Sequence, residues 1–230
     1  MSTSNTSKSK GPLRWLVTLG PTHEPIDQVR FIGNRSSGRM GFEIAKAAQE
    51  TGAHVRVLAG PCNLLQLDSC FHVARFQCAA DLRKLLTEDW PNFDVLVMAA
   101  AVADWQVAGG QIAGKIRRDA TPPTLQLEPV VEILGNLQSR NNQFVVGFAL
   151  EPKDEVLASA RRKLLAKKAD CIVANSLETL DCEQSDARIV WGDERVMTRG
   201  ESTGFAAKSD VARWIVKSIS PAIAQKCGDR

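Results

Sequence analysis

The stretch from Thr18 to Gly41, TLGPTHEPIDQVRFIGNRSSGRMG, joins an apolar segment to an amphipathic one through a turn rich in glycine and hydroxyl groups. Ser36 and Ser37 stand where a helix N-cap is expected, so their hydroxyls and the free N–H groups of the first helical turn can bind one phosphate. Gly38 and Gly41 keep side chains away from such an anion. The alternative is a glycine-rich connection that binds no ligand.

Two familiar phosphate-binding motifs do not describe this turn. Gly33 to Met40 has the spacing of a P-loop, but Arg39 replaces its lysine and Met40 its magnesium-binding hydroxyl. The dinucleotide fingerprint needs glycines directly after the strand, whereas about a dozen residues separate Gly20 from Gly33. The sequence therefore predicts an anion site of neither class.

Composition limits the class of protein. The 230 residues are 44% hydrophobic and carry a net charge of +3, which suits one substantial core and does not favour a nucleic-acid or membrane partner. The polar N-terminus lacks a secretion signal, and no apolar run reaches the roughly 20 residues of a membrane-spanning helix, so we expect a cytoplasmic protein. Six cysteines without a C-x-x-C pair predict free thiols and no zinc site.

Alternating apolar segments predict an α/β fold. We expect a disordered leader over residues 1–11 and a single domain over residues 12–230. Strands are predicted at residues 13–19, 53–60, 71–76, 94–100, 143–150 and 170–176, and helices at residues 40–51, 79–90, 130–137, 152–168 and 208–220. The order predicts a Rossmann-like, mainly parallel sheet with helices on both faces, the first strand central and the strand at 170–176 last.

Proline, glycine and capping residues predict further features of the later part of the chain. Pro129 is expected in the first turn of a short helix, and Ser209 or Asp210 at the cap of the last helix. Two alternating runs around Gly192 and Asp193 predict a late β-hairpin. A flap over about residues 105–122, rich in glycine and proline, is expected to be an exposed, mobile loop that carries Lys115, Arg117 and Arg118.

Ligands of such a sheet bind at the carboxyl ends of its strands, where Gly20, Ala100, Phe148 and Asn175 fall. Lys163 and Lys167, spaced i and i+4, share one helix face and either bind a polyphosphate or, as the more ordinary interpretation, are simply solvated. Asp104 either binds magnesium or a substrate hydroxyl, or caps the next turn. No paired carboxylate or G-x-S-x-G motif supports hydrolase chemistry.

Six segments match in order a known family: GPTHEPIDQVRFIGNRSSGRMG, AAAVADW, GKIRRD, VVGFALE, ARRKLLAKKADCIVAN and FAAKSDVARWIV. The chain resembles the phosphopantothenate cysteine ligase family (phosphopantothenoylcysteine synthetase). The resemblance implies a Rossmann-like homodimer of coenzyme A biosynthesis that joins phosphopantothenate and cysteine through an acyl-nucleotide, releasing pyrophosphate and a nucleoside monophosphate.

The resemblance also implies roles for individual residues. It makes Asn34, beside the reacting acyl group, and Lys115, a flap lysine, the catalytic residues. It makes Arg30 the arginine that reaches the phosphopantothenate of the neighbouring subunit. Ala101, together with Ala100 and Asp104, is similar to a family turn that meets nucleotide or pantothenate. The nucleotide contacts it implies are Ser36, Gly38, Gly41, Ala100, Asp104, Lys115, Phe148, Lys163, Lys167 and Asn175.

The chain departs from the family pattern at Glu128-Pro129-Val130-Val131, where bacterial-type members usually read N-P-D-I. The flap and the A-A-V-A-D-W turn are nevertheless similar to the bacterial type, which favours CTP over ATP, with Mg²⁺. Many bacterial relatives carry a flavin-dependent decarboxylase before this domain, whereas this chain begins with a short polar leader, so we expect no FMN. The magnesium ligands are not indicated.

Two other functions compete with the ligase. A short-chain nicotinamide oxidoreductase needs a tyrosine for proton transfer, and this chain has none. Its second strand also ends at Leu58-Ala59-Gly60-Pro61, without the acid that would hold a ribose. A non-catalytic nucleotide-binding protein would keep the phosphate turn without needing Asn34 or Lys115.

Overall fold

The first predicted strand lies inside a seven-stranded sheet. The structure, a computed structural model, describes residues 11–118, 124–180, 182–192 and 203–228. Its strands are β1 (Arg14–Leu19), β2 (His23–Pro25), β3 (Phe31–Gly33), β4 (His54–Ala59), β5 (His72–Arg75), β6 (Val95–Met98), β7 (Trp105–Val107), β8 (Leu127–Pro129), β9 (Phe144–Glu151), β10 (Cys171–Ser176), β11 (Gln184–Ser185), β12 (Arg188–Trp191) and β13 (Ala206–Ala207). Its helices are α1 (Arg39–Glu50), α2 (Leu67–Cys70), α3 (Ala79–Asp89), α4 (Val156–Lys167) and α5 (Lys208–Cys227).

The main sheet has the order β12-β10-β9-β6-β1-β4-β5, and all neighbouring strands are parallel except β10 and β12. This confirms the predicted Rossmann-like, mainly parallel sheet. β1 lies between β6 and β4, one place from the middle of the sheet. Every β1 residue after Arg14 is buried, as expected for a strand covered on both faces.

Helices cover both faces, as predicted. Trp15, Val17 and Leu19 point into a core formed with α1 and α5, whereas Leu16 packs in the opposite core with α3 and α4. Successive side chains of a strand point to opposite faces, so β1 joins the two cores. Among the described residues, no helix has the length and apolarity that crossing a membrane requires.

Pro129 ends a strand, so the prediction that it opens a helix is wrong. β7 and β8 pair antiparallel, and the N–H of Val130 donates to the carbonyl of Asp104 at 2.9 Å. The next pair, Trp105 with Pro129, falls between ladder hydrogen bonds, so the missing N–H of proline breaks none. Helical structure is confined to a 3₁₀ turn at Leu134–Asn136, and the predicted loop contains β7.

The edge of the sheet also differs from the prediction. Residues 188–191, the first run of the predicted late hairpin, form β12 and extend the main sheet beyond β10, so β10 is not its last strand. The second run of that hairpin lies outside the described residues, as do residues 1–10 of the expected leader. A short antiparallel pair, β11 with β13, leads into α5 instead.

The last helix differs from its prediction in its cap and in its end. Helix α5 begins at Lys208, before the predicted cap at Ser209 or Asp210. The N–H of Lys208 donates to the carbonyl of Glu183 at 3.2 Å, beside the β11–β13 pair. The helix then continues through Pro221 to Cys227. Burial of this helix continues past the proline, since Ile223 and Cys227 are both buried, and this burial stabilises the additional turns.

Candidate active site

The predicted anion turn connects β3 to α1. The N-cap of α1 is Gly38, with φ of 73°, so the prediction that Ser36 or Ser37 caps the helix is wrong. A Cβ at position 38 would lie 3.1 Å from Cδ1 of Leu19, so this turn needs glycine for space as well as for its left-handed backbone. The two serine hydroxyls accept from the N–H groups of Gly38 and Arg39 at 3.4 Å, which leaves their own protons available.

Gly41 brings α1 close to β1. A Cβ there would lie 2.6 Å from Cβ of Leu19 and 3.2 Å from the carbonyl oxygen of Thr18. The helix therefore starts directly above the end of the strand, and its first N–H groups face the same space as the serine hydroxyls.

A cavity of about 980 Å³ opens at the carboxyl ends of β6, β9 and β10, where ligands of parallel sheets bind. This volume suits a nucleotide-sized ligand. The predicted site residues that line it are Asn34, Ser36, Gly38, Gly41, Ala100, Ala101, Asp104, Phe148, Lys163, Lys167 and Asn175. Arg30 and Lys115 are the two that do not.

The turn that follows β6 is attached to the opening stretch by two threonines. The N–H of Ala100 donates to Oγ1 of Thr18 and the N–H of Ala103 donates to Oγ1 of Thr22, each at 3.0 Å. Both threonines are fully buried. Sequence reasoning missed them, although their hydroxyls within the opening stretch are a signal for such a role.

Asn34 is positioned by the same turn. Its Nδ2 donates one hydrogen to the carbonyl of Val102 at 2.9 Å. A primary amide has two N–H groups, so the second remains available to an acyl oxygen in the cavity. Asn34 therefore presents a free N–H on the cavity wall, and its place beside a reacting acyl group stays a prediction.

Asp104 faces the cavity without a cap partner. Its carboxylate makes no hydrogen bond or ion pair within the described residues. The predicted role of Asp104 as a cap of the next turn therefore has no support in the described part of the chain. The described residues contain no group of three or more histidine, cysteine, aspartate or glutamate side chains able to hold a metal.

Lys163 and Lys167 line the cavity from α4 and are not simply solvated. Lys163 pairs with Glu151 at 2.6 Å, and Lys167 pairs with Glu132 at 3.8 Å. Desolvation raises the pKa of Glu151, but hydrogen bonds from Lys163 and Ser159 outweigh it and lower the pKa overall. Both lysines therefore form ion pairs at the cavity wall.

Phe148 and Asn175 occupy adjacent strands beside the cavity. Phe148 is partly buried against the core, as its sequence alone would indicate, and it also lines the cavity. Nδ2 of Asn175 donates to Oγ1 of Thr179 at 3.3 Å. An aromatic face and an oriented amide are suitable contacts for a nucleoside.

Arg30 and Lys115 lie on a separate unit formed by the turn of the β2–β3 hairpin and the flap, and we call this unit the arm (residues 26–30 with 112–116). The N–H of Ile112 donates to the carbonyl of Ile26 at 2.9 Å, and Nη1 of Arg30 donates to the carbonyl of Ile116 at 3.2 Å. These bonds join the hairpin turn to the flap, and neither cation lines the cavity. The segment 20–33 is thus a hairpin instead of a free loop, and residues 112–116 are docked.

Asp27 is the buried centre of the arm. Its carboxylate, 2% exposed, accepts from the N–H groups of Ile116 at 3.0 Å and of Val29 and Arg30 at 2.8 Å, and it also pairs with the Arg30 guanidinium. Burial raises the pKa of this carboxyl, but the hydrogen bonds outweigh it and hold the pKa far below its usual range. Asp27 is therefore an ionised link between the hairpin and the flap.

The structure adds four cavity cations that the sequence interpretation did not assign, Arg35, Arg39, Arg162 and Lys208. Arg162 is adjacent to Lys163, and Lys208 lies in the late FAAKSDVARWIV motif, so both stand in segments that carried the resemblance. The six cysteines, all of them described, form no disulfide. Cys62 lines a second cavity, where burial raises the pKa of its thiol and makes it a poor nucleophile.

A mainly parallel sheet, a glycine turn into α1 and a cation-lined cavity at the strand ends define a Rossmann-like α/β domain with one main ligand site. Residues 12–222 match the DNA/pantothenate metabolism flavoprotein C-terminal domain, and the chain belongs to that family. The family membership indicated by the six motifs is confirmed.

Curated relatives are longer than this chain. Coenzyme A biosynthesis bifunctional protein CoaBC of Mycobacterium tuberculosis is 37% identical over 210 residues, which is 84% of this chain and 50% of that protein. CoaBC of Bacillus subtilis is 38% identical over 71% of this chain and 40% of that protein. A cysteine/cysteine sulfinic acid decarboxylase from an unknown prokaryotic organism is 39% identical over 75% of this chain and 48% of that protein. The chain spans about half the length of these relatives.

Solved structures share the fold. The C-terminal domain of CoaBC has a TM-score of 0.72 at 31% identity, covering 94% of this chain and 97% of that one. The DNA/pantothenate metabolism flavoprotein from Streptococcus pneumoniae has a TM-score of 0.76 at 22% identity, covering 91% and 99%. A Cab2 mutant in complex with phosphopantothenate-cysteine has a TM-score of 0.71 at 18% identity, covering 94% and 88%.

Proposed function

We propose that this protein is a phosphopantothenate–cysteine ligase of coenzyme A biosynthesis. The observation that carries the proposal is the cavity in which the amide of Asn34, the hydroxyl of Ser36 and the ammonium groups of α4 face one space. The likeness to the C-terminal domain of CoaBC, over 97% of that domain, supports it. A Cab2 protein of the same fold was solved with phosphopantothenate-cysteine, which supports the substrate class.

The reaction needs activation because a carboxylate and an amine do not condense while hydroxide is the leaving group. First, a carboxylate oxygen of phosphopantothenate bonds to the α-phosphorus of a nucleoside triphosphate, and the bond from that phosphorus to the β-phosphate breaks. Pyrophosphate leaves. The cysteine nitrogen then bonds to the acyl carbon, the bond to the nucleotide oxygen breaks, and the amine proton passes to solvent.

Positioning and electrostatics contribute most to such a reaction, and a dedicated acid–base pair is not essential. The serine hydroxyls and the first N–H groups of α1 face the phosphates, with Lys163 and Lys167 on the opposite wall. Asn34 donates its second N–H to the acyl oxygen, where negative charge develops in the second step. Phe148 and Asn175 contact the nucleoside.

Magnesium fits this site as a companion of the triphosphate. Mg²⁺ usually binds one or two carboxylates together with substrate phosphates and several waters. Asp104 offers a carboxylate on the cavity wall that no described residue engages. When bound, the ion would neutralise phosphate charge, and Asp104 would orient it.

The arm extends the proposal to a homodimer. Its hairpin and the neighbouring β7 expose Val29, Phe31 and Trp105, which are 61%, 51% and 51% exposed. Apolar side chains grouped on one surface favour an interface. In a symmetric dimer, Arg30 and Lys115 of each arm would reach the phosphopantothenate and phosphates of the neighbouring subunit, with the flap closing after nucleotide binds.

CTP is the proposed nucleotide. The segment from Pro129 to Ile133 lines the cavity, and the main-chain N–H and C=O of Val131 make no hydrogen bond within the described residues. Such groups can satisfy the exocyclic amine and the carbonyl of cytosine, and leaving either group unpaired costs about 1–3 kcal/mol. Base choice therefore does not require the usual side chains at 130 and 131.

We also propose that residues 12–230 form one ligase domain, that the protein works in the cytoplasm, and that its reaction uses no FMN. None of these properties is needed for the geometry of the cavity. The absence of an FMN requirement is checked by assaying protein prepared without added flavin.

The deciding experiment incubates purified protein with phosphopantothenate, Mg²⁺ and either CTP or ATP, with or without cysteine, and measures pyrophosphate. A ligase turns over only with cysteine and releases at most one pyrophosphate per site without it. Lys163→Gln should lower turnover, whereas Arg161→Gln, a matched change on the exposed face of α4, should not.

No pyrophosphate with either triphosphate would favour a non-catalytic nucleotide-binding protein. The same assay decides the base: we expect kcat/KM for CTP to exceed that for ATP about 10- to 100-fold. An equal or higher value for ATP would overturn the choice of CTP and identify residues 128–131 as the cause.

A further inference from the structure

The late FAAKSDVARWIV motif places one cation, Lys208, at the phosphate turn. Lys208 is the first residue of α5, about 170 positions after that turn. A second cavity of about 780 Å³ lies on the other side of the turn. The residues that line both cavities are Ser36, Ser37, Arg39 and Lys208.

Lys208 has no counter-ion within the described residues, unlike Arg39, Lys163 and Lys167. Arg39 pairs with Glu183 at 3.3 Å and with Glu43 at 3.4 Å. Lys163 and Lys167 are paired as described above. Within the described residues, the ammonium of Lys208 has no ion-pair or hydrogen-bond partner. The residue is half-buried and lines both cavities.

The backbone holds Lys208 rigidly. Its N–H donates to the carbonyl of Glu183, and the preceding residue, Ala207, pairs with Gln184 in the β11–β13 ladder. The buried face of α5, including Val211 and Ile215, packs in the same core as Ile44 of α1. The two helices that supply Lys208 and the phosphate turn are thus fixed relative to each other.

A purely structural role does not explain a lysine at this position. The N-terminus of a helix carries partial positive charge, so a cation there is unfavourable unless an anion lies nearby. Helix α5 has an acidic side chain, Asp210, in its first turn, but Asp210 pairs with Arg213 at 3.1 Å. The charge of Lys208 therefore remains available to an anionic ligand.

We propose that Lys208 binds the β- and γ-phosphates of the triphosphate and then the pyrophosphate that they become, at the junction of the two cavities. This role rests on the ligase proposed above. Breaking the bond to the α-phosphate concentrates negative charge on the departing pyrophosphate, and a nearby ammonium stabilises it. The second cavity, which also contains Arg75 and Glu183, offers that product a route away from the acyl-nucleotide.

The test measures binding of inorganic pyrophosphate to the full chain by calorimetry, without turnover. Lys208→Gln should raise the Kd about 10- to 100-fold, because one charge-assisted contact is lost, and Lys208→Arg should restore most of the affinity. Lys217→Gln, which removes an exposed lysine from the same helix, is the matched control and should leave Kd unchanged. Circular dichroism and thermal unfolding confirm that each variant is folded.

A second readout uses the ligase reaction. The inhibition constant for pyrophosphate should rise in Lys208→Gln by the same factor as its Kd. An unchanged Kd in folded Lys208→Gln overturns the inference even if the wild type is an active ligase. Conversely, weaker pyrophosphate binding in Lys208→Gln together with no wild-type turnover would support the anion site and reject the ligase.

Discussion

Asn34 joins two segments of the cavity wall, the opening stretch and the turn that follows β6. Its hydrogen bond to Val102 fixes the amide, while its second N–H remains available. Removing one donor of this kind typically lowers the rate about 100-fold or more. We predict that Asn34→Ala binds nucleotide normally but forms product at least about 100-fold more slowly, measured by steady-state product formation. Exposed Asn141→Ala is the control, and wild-type turnover in Asn34→Ala would exclude the assignment.

Asp27 gives the arm a predictable response to pH. Its pKa is lower in the folded protein than in the unfolded chain, so the carboxylate stabilises the fold above the unfolded pKa of about 3.9. That contribution is lost as pH falls below about 4 toward the folded pKa. We predict that Asp27→Asn lowers the urea midpoint at pH 7 and that this difference shrinks below pH 4.

The control for this pH dependence is Asp68→Asn, which removes a carboxylate that forms a surface ion pair with Arg75. Such pairs contribute little to stability, so its midpoint should stay close to wild type at both pH values. A difference between Asp27→Asn and wild type that does not change with pH would contradict an ionised Asp27 as the source.

At the scale of elements, the contact of α1 with β1 depends on Gly41. A methyl group there would meet Cβ of Leu19 at 2.6 Å, so the helix must move away from the strand. Overpacking of this kind costs about 1–3 kcal/mol. We predict a loss of that size for Gly41→Ala by urea unfolding, and a change below about 0.5 kcal/mol for the exposed Gln49→Ala on the same helix. Equal midpoints would show that α1 tolerates the shift.

The flap is a second element whose behaviour can be tested. Residues 112–116 are docked on the hairpin, so trypsin should cut at Lys115 and Arg117 slowly, and faster in Asp27→Asn. If the flap closes over bound nucleotide, saturating CTP with Mg²⁺ should slow cleavage further in the wild type. Cleavage that is identical with and without the triphosphate would count against a closing flap.

Periodicity predicted the elements of the main parallel sheet, because β1, β4, β6 and β9 are apolar runs between amphipathic helices. The β2–β3 and β7–β8 pairs were missed because they are three residues long and are stabilised by partners distant in sequence. The prediction that Pro129 opens a helix is wrong for the same reason. Its position relative to the ladder hydrogen bonds of Trp105 is not visible in a local pattern.

The whole cavity is assembled from segments scattered across the chain, from Asn34 in the opening stretch to Lys208 near the end. Motif matching identified most of the segments that line the cavity, because each segment carries its own recognisable residues. It missed Thr18 and Thr22, whose contribution is to hold another segment in place. Their hydroxyls are visible in the opening stretch, but the N–H groups that they accept from lie about 80 residues away, so only the structure shows the contacts.

The arm makes the shared-site hypothesis testable in the whole molecule. Arg30 donates to the carbonyl of Ile116, directly after Lys115, so both cations belong to one unit of one chain. If each arm serves the neighbouring cavity, inactive Arg30→Ala and inactive Lys163→Ala chains should form mixed dimers with one intact site, made from one chain's arm and the other's cavity.

Random exchange should then restore about a quarter of wild-type activity, because half of the dimers are mixed and each has one functional site. Mixing Arg30→Ala with Lys115→Ala is the matched control. Neither chain then supplies an intact arm, so no activity should return. Product formation is measured after subunit exchange has been verified with differently tagged chains. If the first mixture stays inactive, the arm serves the cavity of its own subunit. If the second mixture regains activity, Arg30 and Lys115 act in different sites.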